Sequence, residues 1–411
     1  MMVAPKLRFK ADDGSDFSGW EEKTLGELCA PLTYGMNAAA TKFDGENRYI
    51  RITDIDDETH ALLPNDIVSP SGELDDKYLV KKGDILLART GASTGKSFLY
   101  HPKDGKLFYA GFLIKAHVLP SSDDYFIYSQ TLTDRYWKWV KTASMRSGQP
   151  GINANEYASY SFAVPSLPEQ RKIADFLSAV DAVIAAQQAE VDAWEQRKKG
   201  VMQKLFSQEV RFKADDGSDF PDWEEKTLGD LGEFIKGAPL SKADIAPEGN
   251  PMILYGELYT TYGEVAYEIA RSTNRNVDDK YRSKIGDVLI PTSGETPEEI
   301  STATCVMKEG VILAGDLYIY RTVDEIDGRI MSYLLNHQAN KAISCIAQGK
   351  SVVHVQAKEL RNVTVVFPLE MGEQRKIADC LSSMDEVIRK AKDELAKWQE
   401  LKKGLLQQMF V

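Results

Sequence analysis

The stretch Arg89-Thr-Gly-Ala-Ser-Thr-Gly-Lys-Ser97 is where residue types and spacing come nearest to a known chemistry. A phosphate-cradling loop needs a glycine, four residues, then Gly-Lys-Ser or Gly-Lys-Thr, so that backbone N–H groups and the lysine surround the anion. Counting back from Lys96 puts Thr90 where the first glycine belongs, and a related stretch, Pro291-Thr-Ser-Gly-Glu-Thr296, has no Gly-Lys. Nucleotide binding is therefore not expected. Two readings stay open. One is a turn after a strand whose polar groups (Arg89, Thr90, Ser93, Thr94 and Lys96, with Thr292 and Ser293 in the related stretch) face phosphates or base edges. The other is a plain glycine-rich hairpin.

The remaining motifs argue against chemistry within the chain. No two prolines are adjacent, which excludes the Asn/Asp-Pro-Pro-aromatic signature of amino-base methylation, and no glycine-rich cofactor fingerprint follows a strand pattern. Pro221-Asp222 with Glu224-Glu225-Lys226 holds nuclease letters crowded into one run, and the related stretch has Ser18-Gly19 there instead. Five scattered histidines (His60, His101, His117, His337, His354) offer no relay to a nucleophile. Cys29, Cys305, Cys345 and Cys380 lie far apart without metal-ligand spacing, so no metal site and no disulfide framework is indicated, and a reducing compartment fits. Catalytic and metal-ligating residues are expected to be absent.

Binding residues are easier to find. Tyr136-Trp137-Lys138-Trp139-Val140-Lys141 interleaves aromatics with bases, as a nucleic-acid backbone groove would, and Arg146 follows. On a helix the same run would put Trp137 and Val140 in the core and leave Lys138 and Lys141 in solvent. Ser147-Gly-Gln-Pro-Gly-Ile-Asn153 and Ala347-Gln-Gly-Lys-Ser351 precede the last strand pattern of each half, offering Gln149 and Asn153, then Gln348, Lys350 and Ser351, to bases or phosphates.

These candidates sit in a duplicated frame. RFKADDGSDF occurs at 8–17 and 211–220, followed by Trp20 or Trp223 and by EEKTLG; DDKY recurs at 75 and 278, and EQRKIAD at 169 and 373. The interiors, such as 32–74 against 235–277, are largely different. A shared frame with private interiors suggests two versions of one task. Each copy alternates short apolar runs with turns and carries one amphipathic stretch, near 124–141 or 326–343, which reads as a mixed α/β or β-rich domain.

Each copy then ends in a heptad pattern. Ile173, Leu177, Val180, Ile184, Val191, Trp194 and Leu205 form one seam; Ile377, Leu381, Met384, Ile388, Leu395, Trp398 and Met409 form the other, with Lys198 and Lys402 at equivalent polar positions. Ser166-x-x-Glu169 reads as a capping box opening the first helix. From Glu169 to Phe206 that helix would run about 57 Å. Two matched seams in one chain favour an intramolecular antiparallel pair, with a homodimeric coiled coil as the alternative. The expected layout is two recognition domains (1–165 and 209–368), each followed by a spacer helix (166–208 and 369–411). The repeat would resume at Arg8 soon after the chain's last residue, so a closed ring with pseudo-twofold symmetry and adjacent termini is expected.

Charge sets a boundary on partners. The net charge of −12 predicts weak binding of DNA by the isolated chain, because affinity for DNA rests on neutralising phosphates. Acid is unevenly placed, however: residues 44–76 hold ten Asp or Glu against two Arg, while 135–146 hold four bases and no acid. No run approaches the roughly 20 apolar residues of a membrane span, and no signal-peptide pattern opens the chain, so a cytoplasmic location is expected.

Taken together, RFKADDGSDF with Trp20 and TLGEL, the EQRKIAD heptad helix, and the repetition of both resemble type I restriction-modification specificity subunits over nearly the whole chain. The resemblance implies an α+β protein with two target-recognition domains, each reading half of a split site in double-stranded DNA. Their antiparallel spacer helices would dock two adenine-specific methyltransferase subunits. A restriction/translocase subunit could join, and S-adenosylmethionine, ATP and magnesium would belong to those partners. The alternatives are the specificity subunit of a related system whose nuclease and methyltransferase share one chain, and a coiled-coil scaffold that binds no DNA.

Overall fold

In the computed structural model, which describes residues 5–146, 148–349 and 352–410, the two repeated motifs prove to be halves of one joint. Glu169 and Glu373, from the two EQRKIAD runs, are fully buried, and a buried carboxylate needs a charged partner. Arg8 supplies it to Glu169 through bonds of 2.9 and 2.7 Å, and Arg211 supplies it to Glu373 through bonds of 3.0 and 2.8 Å. Lys172 meets Asp12 in the same way that Lys376 meets Asp215. Gln170 and Gln374 accept from the N–H of Asp123 and Asp327, tying each long helix to the start of a shorter one.

Because Arg8 takes both oxygens of Glu169, the expected capping box does not form. The Ser166 hydroxyl is buried without a partner, and the charge-assisted pair to Arg8 outcompetes a neutral cap for the carboxylate.

The heptad stretches are helices of 40 residues (Leu167–Phe206) and 39 residues (Met371–Met409). Along the seams Ile173, Leu177, Val180, Val191, Leu205, Ile377, Leu381, Met384, Ile388, Leu395 and Met409 are buried, and Ile184, Trp194 and Trp398 are half-buried. The chain divides into two compact units, and each holds the start of one long helix and the end of the other.

The first unit comprises residues up to Ala189 together with those from Lys392 onward. Its main sheet has the order Thr33–Tyr34, Leu113–His117, Asp84–Ala88, Ser97–Leu99, all antiparallel. Glu21–Thr24 pairs with Ser161–Val164, bringing the start of the domain beside the strand that enters the long helix. The amphipathic stretch forms two helices, Asp124–Gln130 and Asp134–Ala143, because Thr133 caps the second by accepting from the Tyr136 N–H. Ile173 and Leu177 share a core with Leu406, Met409 and Phe410, and Lys402 pairs with Asp181 at 2.6 Å. The Leu7 N–H donates to the Gln408 carbonyl at 3.0 Å, so the segment before Arg8 lies against the end of the second long helix.

The second unit, Glu190–Ala391, repeats the plan on a larger sheet: Gly232–Lys236, Leu317–Thr322, Asp287–Pro291, Thr304–Val306, Val265–Ala266. Glu224–Thr227 pairs with Thr364–Phe367, and the helices Gly328–His337 and Asn340–Ile346 cover one face. Val210 donates to Lys204 at 3.2 Å, the counterpart of the bond from Leu7 to Gln408. Here Lys198 pairs with Asp385, as Lys402 does with Asp181 in the first unit.

Candidate nucleic-acid interface

At one end of each main sheet three loops are locked by the same backbone hydrogen bonds. In the first unit Gly35 donates to Leu113 at 3.1 Å, Arg89 to Phe112 at 3.0 Å, and Ile152 to Arg89 at 2.9 Å. In the second Gly237 donates to Leu317 at 2.9 Å, Thr292 to Asp316 at 2.7 Å, and Val355 to Thr292 at 3.1 Å. The loops approach so closely that a β-carbon on Gly35 would lie 2.1 Å from the Ala110 carbonyl oxygen, so only glycine fits. On Gly237 it would meet the Gly315 oxygen at 2.9 Å.

What the frame presents differs between copies. In the first, Tyr34 and Phe112 are exposed, and the half-buried Arg89 lies over the Tyr34 ring at 4.8 Å. Gln149 is exposed beside Gly91. In the second, Lys236, Thr292 and Asp316 occupy the places of Tyr34, Arg89 and Phe112. A groove of about 1130 Å³ opens there, lined by residues that include Lys236, Tyr255, Arg271, Glu295 and Asp316.

The 89–97 stretch is a hairpin turn between Asp84–Ala88 and Ser97–Leu99. Arg89, Thr90 and Ser93 stay at least partly open to solvent, and Thr90 bridges to Gly151. Lys96 does not fit a phosphate-facing role. It is 5% exposed, its ammonium donates to the Ile55 carbonyl at 2.8 Å, and it pairs with Asp57. An ammonium taken out of water must be satisfied internally, and these partners do so. Thr94 is also buried, its hydroxyl donating to the Gly91 carbonyl at 2.7 Å.

Other candidates divide in the same way. Lys138 and Lys141 are exposed. Trp137, expected in the core, is 38% exposed beside them; Tyr136 and Val140 take the core positions, because the helix turns that face toward the domain. Arg146 is exposed but bound to both oxygens of Glu156, at 2.5 and 2.6 Å. Asn153 spends its carbonyl capping Ala154–Ala158. Thr292 is half-buried in the frame, and Ser293 is buried with its hydroxyl 3.3 Å from Asp316. Gln348 is exposed and donates to Glu359 at 3.2 Å, while Lys350 and Ser351 lie outside the described residues.

Reading the sequence alone missed Tyr34, Phe112, Lys236 and Asp316. The signal was there: Ala110-Gly111-Phe112-Leu113 matches Ala314-Gly315-Asp316-Leu317 at every position but one. Burial lowers His60 to about 4, keeping it neutral, and raises Cys29 to about 12. Among the described residues no group of three or more His, Cys, Asp or Glu could hold a metal, and no helix is long and apolar enough to cross a membrane.

A duplicated α/β domain that keeps one loop frame and changes the side chains it presents defines a protein with two recognition modules. The chain belongs to the type I restriction modification DNA specificity domain family, whose pattern it matches twice, over residues 18–193 and 221–397. It is 26% identical over 410 residues to a putative type I restriction enzyme MjaX specificity subunit of Methanocaldococcus jannaschii, covering 94% of this chain and 92% of that one. It is 23% identical over 343 residues to the MjaVIII specificity subunit of the same organism, covering 78% and 77%. Its fold is similar to that of a type I restriction-modification S subunit from M. genitalium, with a TM-score of 0.65, 17% identity, and 100% and 99% of the two chains covered.

Proposed function

We propose that this chain directs a type I restriction-modification complex to a bipartite, asymmetric site in double-stranded DNA, each repeat reading one half. The carrying observation is a shared loop frame that presents Tyr34, Arg89 and Phe112 in one repeat and Lys236, Thr292 and Asp316 in the other. The two long helices pair antiparallel in a closed, pseudo-twofold arrangement and act as a ruler between the half-sites. Their outer faces dock adenine-specific methyltransferase subunits, two per complex, and a restriction/translocase subunit joins the same assembly. Adenine methylation, with S-adenosylmethionine, and motor or nuclease work, with ATP and magnesium, belong to those partners in the cytoplasm. The chain itself supplies no catalytic group. Co-purification with a methyltransferase, and tighter binding of one duplex than of its scrambled version, are the expected first results.

The ruler has a numerical test. Seven helical residues span about 10 Å and a base pair rises about 3.4 Å. Inserting one heptad into both helices should therefore lengthen the spacer between half-sites by about three base pairs, read by mapping methylated adenines genome-wide. An insertion mutant that methylates with the original spacer would rule the helices out as the measuring element.

A further inference from the structure

We infer that the side-chain positions of Arg89 and Phe112 in the first repeat, and of Thr292 and Asp316 in the second, are base-reading positions, and that Arg89 reads a guanine in the half-site of the first. The assignment rests on the proposal that each repeat reads one half-site. It starts from the frame itself: matched hydrogen bonds hold the backbone of Arg89 and Phe112 in one unit, and of Thr292 and Asp316 in the other, at the same end of the sheet. Backbone so placed fixes where a side chain begins. Only the side chain then differs, which is what two modules with different targets require.

Among the described residues Arg89, like Arg197 over Trp194, lies on an aromatic ring without a carboxylate partner. Arg8, Arg51, Arg146, Arg321 and Arg329 each bind a carboxylate. Among the described residues no carboxylate pairs with Arg89, although the chain holds 62 acids against 50 bases. Its guanidinium lies over the Tyr34 ring, and one nitrogen makes a long contact of 3.4 Å to the Gly111 carbonyl. Tyr34 is itself anchored, its hydroxyl accepting from the Ala154 N–H at 3.1 Å. Stacking sets the plane of the guanidinium and leaves most of its N–H donors uncommitted. A planar donor fork of this kind matches the O6 and N7 acceptors of guanine, the commonest specific arginine contact in the major groove. Tyr34 is a positioning residue. In the second repeat Thr292 has no such fork, and the neighbouring Asp316 offers an acceptor suited to the amino group of cytosine.

Selection from a randomised duplex library by the full chain, alone and with its methyltransferase partner, tests the assignment. Arg89→Ala should relax one guanine position in one half-site by about 5- to 150-fold and leave the other half-site unchanged. Arg89→Gln should move the preference at that position from guanine toward adenine, a shift that a merely structural role would not produce. Tyr34→Phe should keep the guanine preference and Tyr34→Ala should weaken it, while Asp316→Asn should alter the other half-site alone. The inference is overturned if Arg89→Ala and Arg89→Gln keep the wild-type preferences with unchanged melting temperatures. It is equally overturned if Arg89→Ala weakens all duplexes alike, which is the behaviour of a phosphate contact. A wild-type chain that selects no sequence would overturn the half-site reading as well.

Discussion

Glu169 and Glu373 show what a single residue is asked to do here. Each is a buried charge held by one arginine from the opposite end of the repeat, so the pair joins the first strand region to the long helix. Removing one partner of a buried pair leaves the other charged and desolvated, which costs about 3–5 kcal/mol. Arg8→Ala should therefore destabilise the first unit by about that amount, seen as a lowered midpoint in denaturant. Adding Glu169→Gln should recover much of the loss, because the amide carries no charge to strand. A double mutant no more stable than Arg8→Ala would show that the cost lies elsewhere. The second copy adds a bond the first lacks: the Trp223 indole N–H donates to Glu373 at 3.2 Å, whereas that of Trp20 is buried without a partner.

Among elements, a charged joint ties Lys198 of the first long helix and Asp385 of the second to the loop carrying Glu264. Lys198 donates to Glu264 at 3.0 Å and also pairs with Asp385, and His337 lies 3.0 Å from the other Glu264 oxygen. Burial pushes the Glu264 carboxyl up, but His337 and Lys198 together outweigh it and hold the group at about 2. A carboxyl depressed below its unfolded value of about 4.3 stabilises the fold above that pH and loses the contribution as pH falls toward 2. Asp385 works the other way, raised by burial and by the Glu264 charge, and offsets part of the effect. Glu264→Gln should therefore cost about 1–3 kcal/mol near neutral pH, with the gap to wild type closing as pH drops from about 4 to about 2. Denaturant titrations at neutral and acid pH measure it; a gap independent of pH would remove the carboxylate from the account. In the first unit Lys402 meets Asp181, and no Glu264 counterpart joins them among the described residues.

For the whole molecule, the bond from Leu7 to Gln408 repeats the one from Val210 to Lys204, so Leu7 and Gln408 share the local setting of an unbroken stretch of backbone. A permutant that joins the chain's ends and opens near Gln208 should fold with a melting temperature close to that of wild type, since no core element is cut. An insoluble permutant would count against a closed arrangement. The acidic balance belongs to this scale too. With a net charge of −12, the chain is expected to bind DNA weakly alone and to rely on partner subunits for much of the phosphate neutralisation.

The sequence by itself determined the duplication, the two long helices and the family, because each is a pattern in residue type along the chain: matched motifs at an offset of 203 to 204 residues, and apolar residues at a 3.5-residue period. It also pointed to the 89–97 stretch as a turn. What it left open depended on residues distant in the chain. Glu169 looked like a capping residue until Arg8, 161 positions away, was found holding it. Lys96 and Thr94 looked available until burial turned them inward, and Trp137 looked like core until the helix showed which face it packs. Tyr34, Arg89 and Phe112 lie in three separate segments, and only the sheet brings their backbones together. Local periodicity follows from neighbouring side chains, so sequence records it; a binding frame is made of hydrogen bonds between strands, and only tertiary structure decides which residues it presents.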